Sequence, residues 1–195
     1  KRGFLIWITL ISLLINLWLD NIRFTIFQTK SNKKSRIEIK RAKWFTNKLI
    51  KLGSAFIKIG QLLSARPDLI PDNWIKELSK LQDQVPNFSF EQVEKTIRKE
   101  LGSKFNEIDQ IIYNPVGSAS LAQVHRATLK DGKKVVFKVQ RPNLKELFII
   151  DLGIMEQIAG LLQKNKNWSR GRNWVEIAKE CRKVLMKELD FNCEA

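Results

Sequence analysis

A loop of small residues and one strand lysine have the residue types that phosphate chemistry needs. Residues 117–124, GSASLAQV, follow the frame GxGxxGxV of a phosphate-binding loop, with Ala119 and Ala122 at the second and third glycine positions. Lys138 ends the stretch VVFK, in the V-x-x-K context of a lysine that contacts phosphate. The remaining residues of the candidate loop site are Gly117, Ser118 and Ser120.

The elements around these residues are predicted to be a hairpin. Residues 124–129 and 134–140 have the composition of short strands. Asp131-Gly132 between them favours a turn in which both central positions adopt positive φ. The alternative is a Gly/Ser-rich turn before an ordinary hairpin, unrelated to phosphate.

The period of the second strand decides which way its lysine points. Successive side chains of a strand alternate between faces, so Val136 and Lys138 share one face and Val135 and Phe137 share the other. The alternative for Lys138 is a side chain that extends from an edge strand into water.

Helices are predicted on both sides of the hairpin. Apolar periodicity and capping residues place them at 37–64, 73–83, 89–102, 143–163 and 173–195. Ser89 and Gln92 form a capping-box pattern, and Gly102 is a suitable end for that helix. These elements together predict an α+β fold.

The N-terminal segment 4–19, FLIWITLISLLINLWL, is apolar along most of its length. Its polar residues and their continuation recur every three or four positions and so form one helical stripe: Thr9, Ser12, Asn16, Asp20 and Arg23. A membrane span needs about 17–25 apolar residues, so the segment lies at the lower limit. We expect a helix that lies in, or is shallowly anchored to, an anionic membrane face. The alternative is a buried hairpin element whose stripe faces water.

The charge of the chain predicts a polyanionic partner. Its net charge is +15. Seven Lys and Arg residues lie between positions 30 and 43, and Glu38 is the only acidic residue in that segment. His125 is the only histidine, which excludes a histidine-rich metal cluster and a serine-histidine-aspartate hydrolase, and its predicted role is structural. Cys181 and Cys193 form no CxxC pair and offer no metal site.

Four stretches of the chain resemble the UbiB, or aarF-domain, family of atypical kinase-like proteins. They are the KxGQ-type block KIGQLLSARPDLIP at 58–71, the alanine-rich loop at 117–125, the lysine strand VVFKVQRP at 135–142 and the ExD-type stretch ELDFNCEA at 188–195. Together they cover most of residues 50–195. The resemblance implies a helical N-terminal extension packed on the start of a protein-kinase-like small lobe, with the large lobe absent.

This resemblance implies a nucleotide site for ATP or ADP. Lys138 is expected to contact the phosphates and to pair with Glu194, which occupies the position of the αC-type glutamate of kinases. Alanine narrows the backbone freedom that glycine gives such a loop, so the nucleotide is expected in a different pose from that in ordinary protein kinases. Gly117 stands where many family members carry a further alanine, which implies a somewhat less restrained loop.

A regulatory constellation is implied by the same resemblance. The KxGQ segment is expected to pack over the nucleotide cleft, with Lys58 paired to Glu188, Gly60 allowing close helix approach and Gln61 reaching into the cleft. Residues two apart on a helix point about 200° apart, so only one of Glu188 and Asp190 can face the cleft directly. We favour Glu188.

The expected organisation is a membrane-associating helix at 1–29, a helical KxGQ-containing extension at 30–110 and a kinase-like N-lobe portion at 111–195. The catalytic acid, the DFG-like element and the Mg²⁺ ligands are expected beyond Ala195, so no catalytic residue or metal ligand is assigned here.

The parent protein is expected to be an ATPase or unorthodox phosphotransferase. Its implied role is to support isoprenoid quinone biosynthesis on the cytoplasmic face of a membrane, or in an equivalent reducing organelle compartment.

Two other classes of function were weighed against this one. One is a non-catalytic membrane scaffold that recruits quinone-biosynthesis or other lipid-biosynthetic enzymes, or binds lipid intermediates. The other is a basic nucleic-acid-binding protein. Nucleic acid is disfavoured as a partner because the basic cluster lies beside an apolar helix rather than in a groove-entering module.

Overall fold

The chain forms two compact units in a computed structural model that describes residues 2–26, 31–82, 85–165, 169 and 171–189. One unit comprises Lys1–Gln82 with Lys145–Ala195, and the other comprises Asp83–Leu144. The predicted α+β class is confirmed, with helices in both units and one small antiparallel sheet in the second. The domain boundaries predicted after residues 29 and 110 divide the chain differently and stay a prediction.

The secondary-structure elements described in the first unit are all helices. Its elements are α1 (Arg2–Ile26), α2 (Ser31–Leu52), α3 (Ser54–Ser64), α4 (Asp72–Leu78), a 3₁₀ turn (Ser79–Gln82), α6 (Leu144–Lys164, which begins at the last residue of the other unit) and α7 (Trp174–Lys187). Asn173 caps α7, where its side chain accepts a hydrogen bond from the Glu176 amide at 3.1 Å.

A break at Gly53 divides the helix predicted at 37–64 into α2 and α3, so the prediction of a single helix was wrong. Gly53 has φ +94°, a region that L residues rarely adopt. Its amide donates to the Leu49 and Ile50 carbonyls, both at 3.1 Å, which closes α2. Its own carbonyl accepts from the Ile57 amide at 3.0 Å in the first turn of α3.

Most of the polar stripe of α1 faces the protein, although Arg23 is exposed, so the alternative in which the stripe faces water is wrong. Asp20 is only 6% exposed and accepts hydrogen bonds from Arg41 of α2 at 2.9 and 3.2 Å. At the other end of α1, Arg2 donates to the fully buried Asp151 of α6, with the Nε–Oδ1 distance at 2.6 Å. The stripe turns inward because buried charges need partners, and α2 and α6 provide them.

The second unit contains a sheet of β1 (Ile108–Ile111), β2 (Gly117–Ser118), β3 (Ala122–Leu129) and β4 (Lys134–Gln140). β3 is central, because it pairs antiparallel with each of the other three strands. The unit also contains α5 (Phe90–Leu101), capped by Ser89 as predicted, and a 3₁₀ turn (Gly102–Glu107). Val93 and Ile97 of α5 form a buried core with Val139 of β4.

The β3–β4 hairpin is confirmed, but its turn differs from the prediction. Gly132 has φ +83°, whereas Asp131 does not adopt positive φ. The Gly132 amide donates to the Leu129 carbonyl at 2.8 Å, and the Asp131 carboxylate accepts from the Lys133 amide at 2.9 Å. This is the three-residue loop that ends on a left-handed glycine, not the two-residue loop in which both positions are left-handed.

Candidate functional site

The alanine-rich loop connects β2 to β3 in the second unit. The Ala119 amide donates to the Ala122 carbonyl at 2.8 Å, which closes the turn. No residue of this loop has positive φ, and a methyl group added at Gly117 would meet open space. The loop therefore makes its turn without glycine geometry, which explains how alanine can occupy the second and third glycine positions of the frame.

Lys138 shares one face of β4 with Val136, as the strand period predicted, and this face is exposed. Val135 and Phe137 are half-buried and Val139 is buried on the α5 side, whereas Val136 on the lysine's face is 64% exposed. In the register of the sheet, Lys138 lies directly opposite Val124 of β3.

An apolar strip therefore borders the lysine. Val124 and Val136 are diagonal neighbours on this face, which places their Cβ atoms about 7–8 Å apart or less. Neither valine was among the predicted site residues. The alternation of the two strands was the signal that could have found them, because it places both on the face of Lys138.

Arg141, directly after β4, is a second residue that the sequence analysis did not include. Its Nη2 donates to the Pro86 carbonyl at 2.6 Å, to the Ala119 carbonyl at 3.2 Å and to the Ser118 hydroxyl at 3.4 Å. The guanidinium carbon lies 5.3 Å from the centre of the Phe88 ring. Burial lowers the pKa of Arg141 from its ordinary value. Nothing in the local sequence indicates these contacts, because they join segments far apart in the chain.

The remaining polar residues of this unit have structural surroundings. Ser120 is buried, and His125 is buried with Nδ1 at 2.9 Å from the Ile112 carbonyl oxygen. The other ring nitrogen of His125, Nε2, is buried without a hydrogen-bond partner. The ring lies 5.8 Å from that of Phe90, which agrees with the structural role predicted for this histidine.

Two of the residues predicted to be regulatory, Lys58 and Glu188, meet in the first unit. Lys58 Nζ of α3 lies 2.6 Å from Glu188 Oε2, and both side chains are half-buried. Glu188 is the C-terminal cap of α7. The ion pair thus joins the KxGQ helix to the end of α7.

Gly60 and Gln61 both contact the 3₁₀ turn that follows α4. A Cβ atom at Gly60 would lie 2.4 Å from Leu81 Cδ1 and 2.9 Å from Leu49 Cδ1, closer than real Cβ contacts. The Gln61 Nε2 donates to the Leu81 carbonyl at 2.8 Å. The structure thus uses the Gln61 amide inside this unit, and the predicted reach of Gln61 into a cleft stays a prediction.

Some predicted site residues fall outside the part of the chain that the structure describes. They are Asp190 and Glu194, so the choice between Glu188 and Asp190 and the pairing of Lys138 with Glu194 stay predictions. Across the described ranges, no group of three or more His, Cys, Asp or Glu side chains could hold a metal ion.

Comparison with known proteins adds a family to this geometry. The family model of the ABC1 atypical kinase-like domain matches residues 80–195. Over 98% of its length the chain is 43% identical to an uncharacterized protein of Synechocystis sp., and it covers 33% of that protein. It is 42% identical over its whole length to Protein ACTIVITY OF BC1 COMPLEX KINASE 8, chloroplastic, of Arabidopsis thaliana, and covers 26% of it. It is 44% identical over 75% of its length to "Probable protein kinase UbiB" of Marinobacter nauticus, and covers 27% of it. The chain therefore spans about a third, or less, of these relatives.

Proposed function

The chain belongs to the family of ABC1 atypical kinase-like domains, and from this premise we propose that the full-length protein binds ATP or ADP together with Mg²⁺. The chemistry is ATP hydrolysis or an unorthodox phosphotransfer, in which the γ-phosphoryl group passes to water or to an acceptor hydroxyl and ADP is released. The observation that carries the proposal is the exposed sheet face on which Lys138 lies opposite Val124, beside the alanine-rich loop.

This face has the chemistry that a nucleotide requires. The strip of Val124 and Val136 is apolar and suits a flat aromatic base, whereas Lys138 provides positive charge for phosphate oxygens. Among the described residues, the backbone amides of Ser120 and Leu121 donate to no acceptor. Of these two residues Ser120 is buried and Leu121 is half-buried, and an unpaired loop amide favours an anionic ligand.

The catalytic parts of phosphoryl transfer are expected elsewhere in the full-length protein. Phosphoryl transfer needs an acid that orients the acceptor and an aspartate that binds the metal. We expect both outside this chain, together with the Mg²⁺ ligands. The contribution of this chain is to bind and orient the nucleotide through Lys138 and the loop.

The KxGQ helix is proposed to regulate this site. Lys58 and Glu188 tie α3 to the end of α7, directly before the stretch that contains Asp190 and Glu194. We propose that this ion pair regulates the nucleotide site in the full-length protein, where Glu194 is the proposed partner of Lys138. Gly60 and Gln61 hold α3 against the 3₁₀ turn and so keep Lys58 in place.

A membrane surface is proposed as the place of action. α1 is long and apolar enough to cross a bilayer by length and composition. However, α1 is bound to the protein through Arg2, which pairs with α6, and through Asp20 of the stripe, which pairs with α2. We therefore favour a helix that lies on the membrane with its exposed apolar face, which consists of Phe4, Leu5, Ile8, Ile11, Ile15, Trp18 and Leu19.

The basic residues of α2 favour an anionic membrane. Lys33, Lys34, Arg36, Lys40 and Lys43 are exposed and lie on the helix that follows α1. Each basic residue near an anionic surface contributes about 1 kcal/mol of attraction. The cytoplasmic face, or an equivalent reducing organelle compartment, follows as the proposed location.

Support of isoprenoid quinone biosynthesis is the proposed biological role, with biosynthetic enzymes or lipid intermediates as further partners. The resemblance to UbiB proteins supports this role. A second candidate function is the non-catalytic membrane scaffold, which the exposed apolar face of α1 favours independently of any nucleotide. No feature of the described residues favours nucleic acid over these partners.

The test is a thermal shift of the full-length protein with MgATP, in the wild type, Lys138→Ala and Lys134→Ala. Lys134 is the matched control, because it lies on the same strand and the same face but four residues from Lys138. A ligand at 100 times its Kd stabilises a protein by about 2.7 kcal/mol. We expect this stabilisation in the wild type and Lys134→Ala and its loss in Lys138→Ala. No shift in a folded wild type would overturn the nucleotide proposal and leave the membrane scaffold.

A further inference from the structure

Arg141 is placed by its neighbours in the chain. It follows the last residue of β4, and its amide donates to the Leu121 carbonyl at 2.9 Å. Pro142 comes next, and the residue before a proline is restricted to extended conformations. The start of the side chain is therefore held beside the loop that Leu121 belongs to.

The guanidinium of Arg141 joins two separate segments. It donates to the Pro86 carbonyl before α5 and to the Ala119 carbonyl in the loop, from Nη2 at 3.2 Å and from Nε at 3.4 Å. It also lies over the ring of Phe88, whose amide donates to the buried Gln123 side chain at 3.2 Å. A planar group with several fixed donors can hold two backbone segments at once, and a lysine cannot reproduce this geometry.

This contact determines the orientation of the loop peptide. In a trans peptide the carbonyl and the following N–H point in opposite directions. Because Arg141 holds the Ala119 carbonyl, the Ser120 N–H points away from the guanidinium. The Ala119 amide is bound to Ala122, whereas the Ser120 amide donates to nothing among the described residues.

We propose that Arg141 is a positioning residue of the nucleotide site, which fixes the alanine-rich loop in the conformation that the nucleotide meets. The loop lacks two glycines of the frame and makes its turn without positive φ. Its conformation is therefore held by a contact with a residue outside the loop, not by glycine residues with positive φ. Arg141 touches the back of the loop and not the nucleotide. This inference rests on the proposed nucleotide function.

The test compares Arg141→Lys and Arg141→Gln with wild type in the full-length protein. The control is Arg98→Lys on α5, since Arg98 also lies over an aromatic ring, that of Phe105 at 4.0 Å, and also makes a hydrogen bond, to Glu94 at 2.8 Å. Amide hydrogen exchange of 117–122 is measured without nucleotide, with α5 as the internal reference for global stability. The Kd for MgATP is measured separately, at a temperature where all variants are folded.

We expect both Arg141 variants to accelerate exchange in 117–122 and to raise the Kd for MgATP by about tenfold, at unchanged exchange in α5. Arg98→Lys should change neither quantity. If Arg141→Lys has the exchange rate and the Kd of the wild type, a positive charge at position 141 is sufficient for both properties. The positioning role is then overturned. If exchange in 117–122 does not change in either variant, the role is also overturned. A further outcome is that the wild type binds no MgATP while the Arg141 variants show faster exchange. The contact between Arg141 and the loop would then be confirmed, and the nucleotide site itself would be rejected.

Discussion

The two compact units each carry a motif glycine, and these glycines differ in what they contribute. In the helical unit, Gly60 of the KxGQ block has no room for a methyl group, because the side chains of Leu81 and Leu49 occupy the space that a Cβ atom would need. In the sheet unit, Gly117 of the alanine-rich loop has open space and no positive φ. A glycine in a motif is therefore not evidence for one physical cause, and the packing around it decides what it does.

The largest effect is expected from Gly60→Ala. Alanine improves helix propensity by about 1 kcal/mol, but overpacking of a buried site costs about 1–3 kcal/mol. Leu81 and Leu49 are buried and have little room to move. We expect a net loss of up to about 2 kcal/mol in the free energy of unfolding, measured by urea denaturation with an unchanged m-value.

A double variant sharpens this expectation. Leu81→Ala removes the side chain that the new methyl group would meet at 2.4 Å. Gly60→Ala should then cost less in the Leu81→Ala background than in the wild type. Equal costs in both backgrounds would show that the contact with Leu81 is not the cause.

Gly132→Ala is expected to have a smaller effect for a different reason. No atom lies within 4 Å of a Cβ built there, but φ is +83°. An L residue in this region costs about 1–2 kcal/mol, partly offset by the lower entropy of its unfolded chain. We expect a loss of about 1 kcal/mol by chemical denaturation, and a smaller loss for Gly132→Asn, which tolerates positive φ. A Gly132→Asn variant no better than Gly132→Ala would argue against this cause.

The Lys58–Glu188 ion pair is expected to contribute less to the free energy of unfolding than these two glycines. The two side chains are half-buried, and exposed ion pairs give about 0.2–1 kcal/mol in double-mutant cycles. We expect a coupling of about 1 kcal/mol from Lys58→Met, Glu188→Gln and the double variant. High salt should reduce this coupling. Zero coupling at low salt would remove the ion pair as a link between α3 and α7.

The smallest effect is expected from Gly117→Ala. Its backbone conformation is open to any residue and the added methyl meets nothing. The free energy of unfolding should change by no more than about 0.5 kcal/mol. A loss near that of Gly60→Ala would break the contrast between the two units.

Local signals predicted the sheet unit well. The strand at 134–140 matches β4, and Ser89 and Gly102 bound α5 as their capping preferences indicate. Here the sequence separation between interacting residues is short, so turn and capping preferences act directly on the structure. Even so, the Asp131-Gly132 turn adopted positive φ only at Gly132.

Features that depend on distant residues could not be predicted in the same way. Asp20 of the α1 stripe is buried against Arg41, and Arg2 at the start of α1 pairs with Asp151. Nothing near residues 4–19 indicates these partners. The contacts of Arg141 with Pro86 and Ala119 likewise join separate segments. Side chains that pair across the chain are determined by the tertiary structure, which local patterns do not report.

The division of the chain into units also has a consequence for its synthesis. The sheet unit is continuous, Asp83–Leu144, whereas the helical unit is built from two segments that flank it. On the ribosome, α1 to α4 must wait for α6 and α7, and the sheet unit emerges complete in the meantime. Asp151, which pairs with Arg2, is absent during that interval. The start of α1 thus stays without its ion-pair partner until α6 has been synthesised.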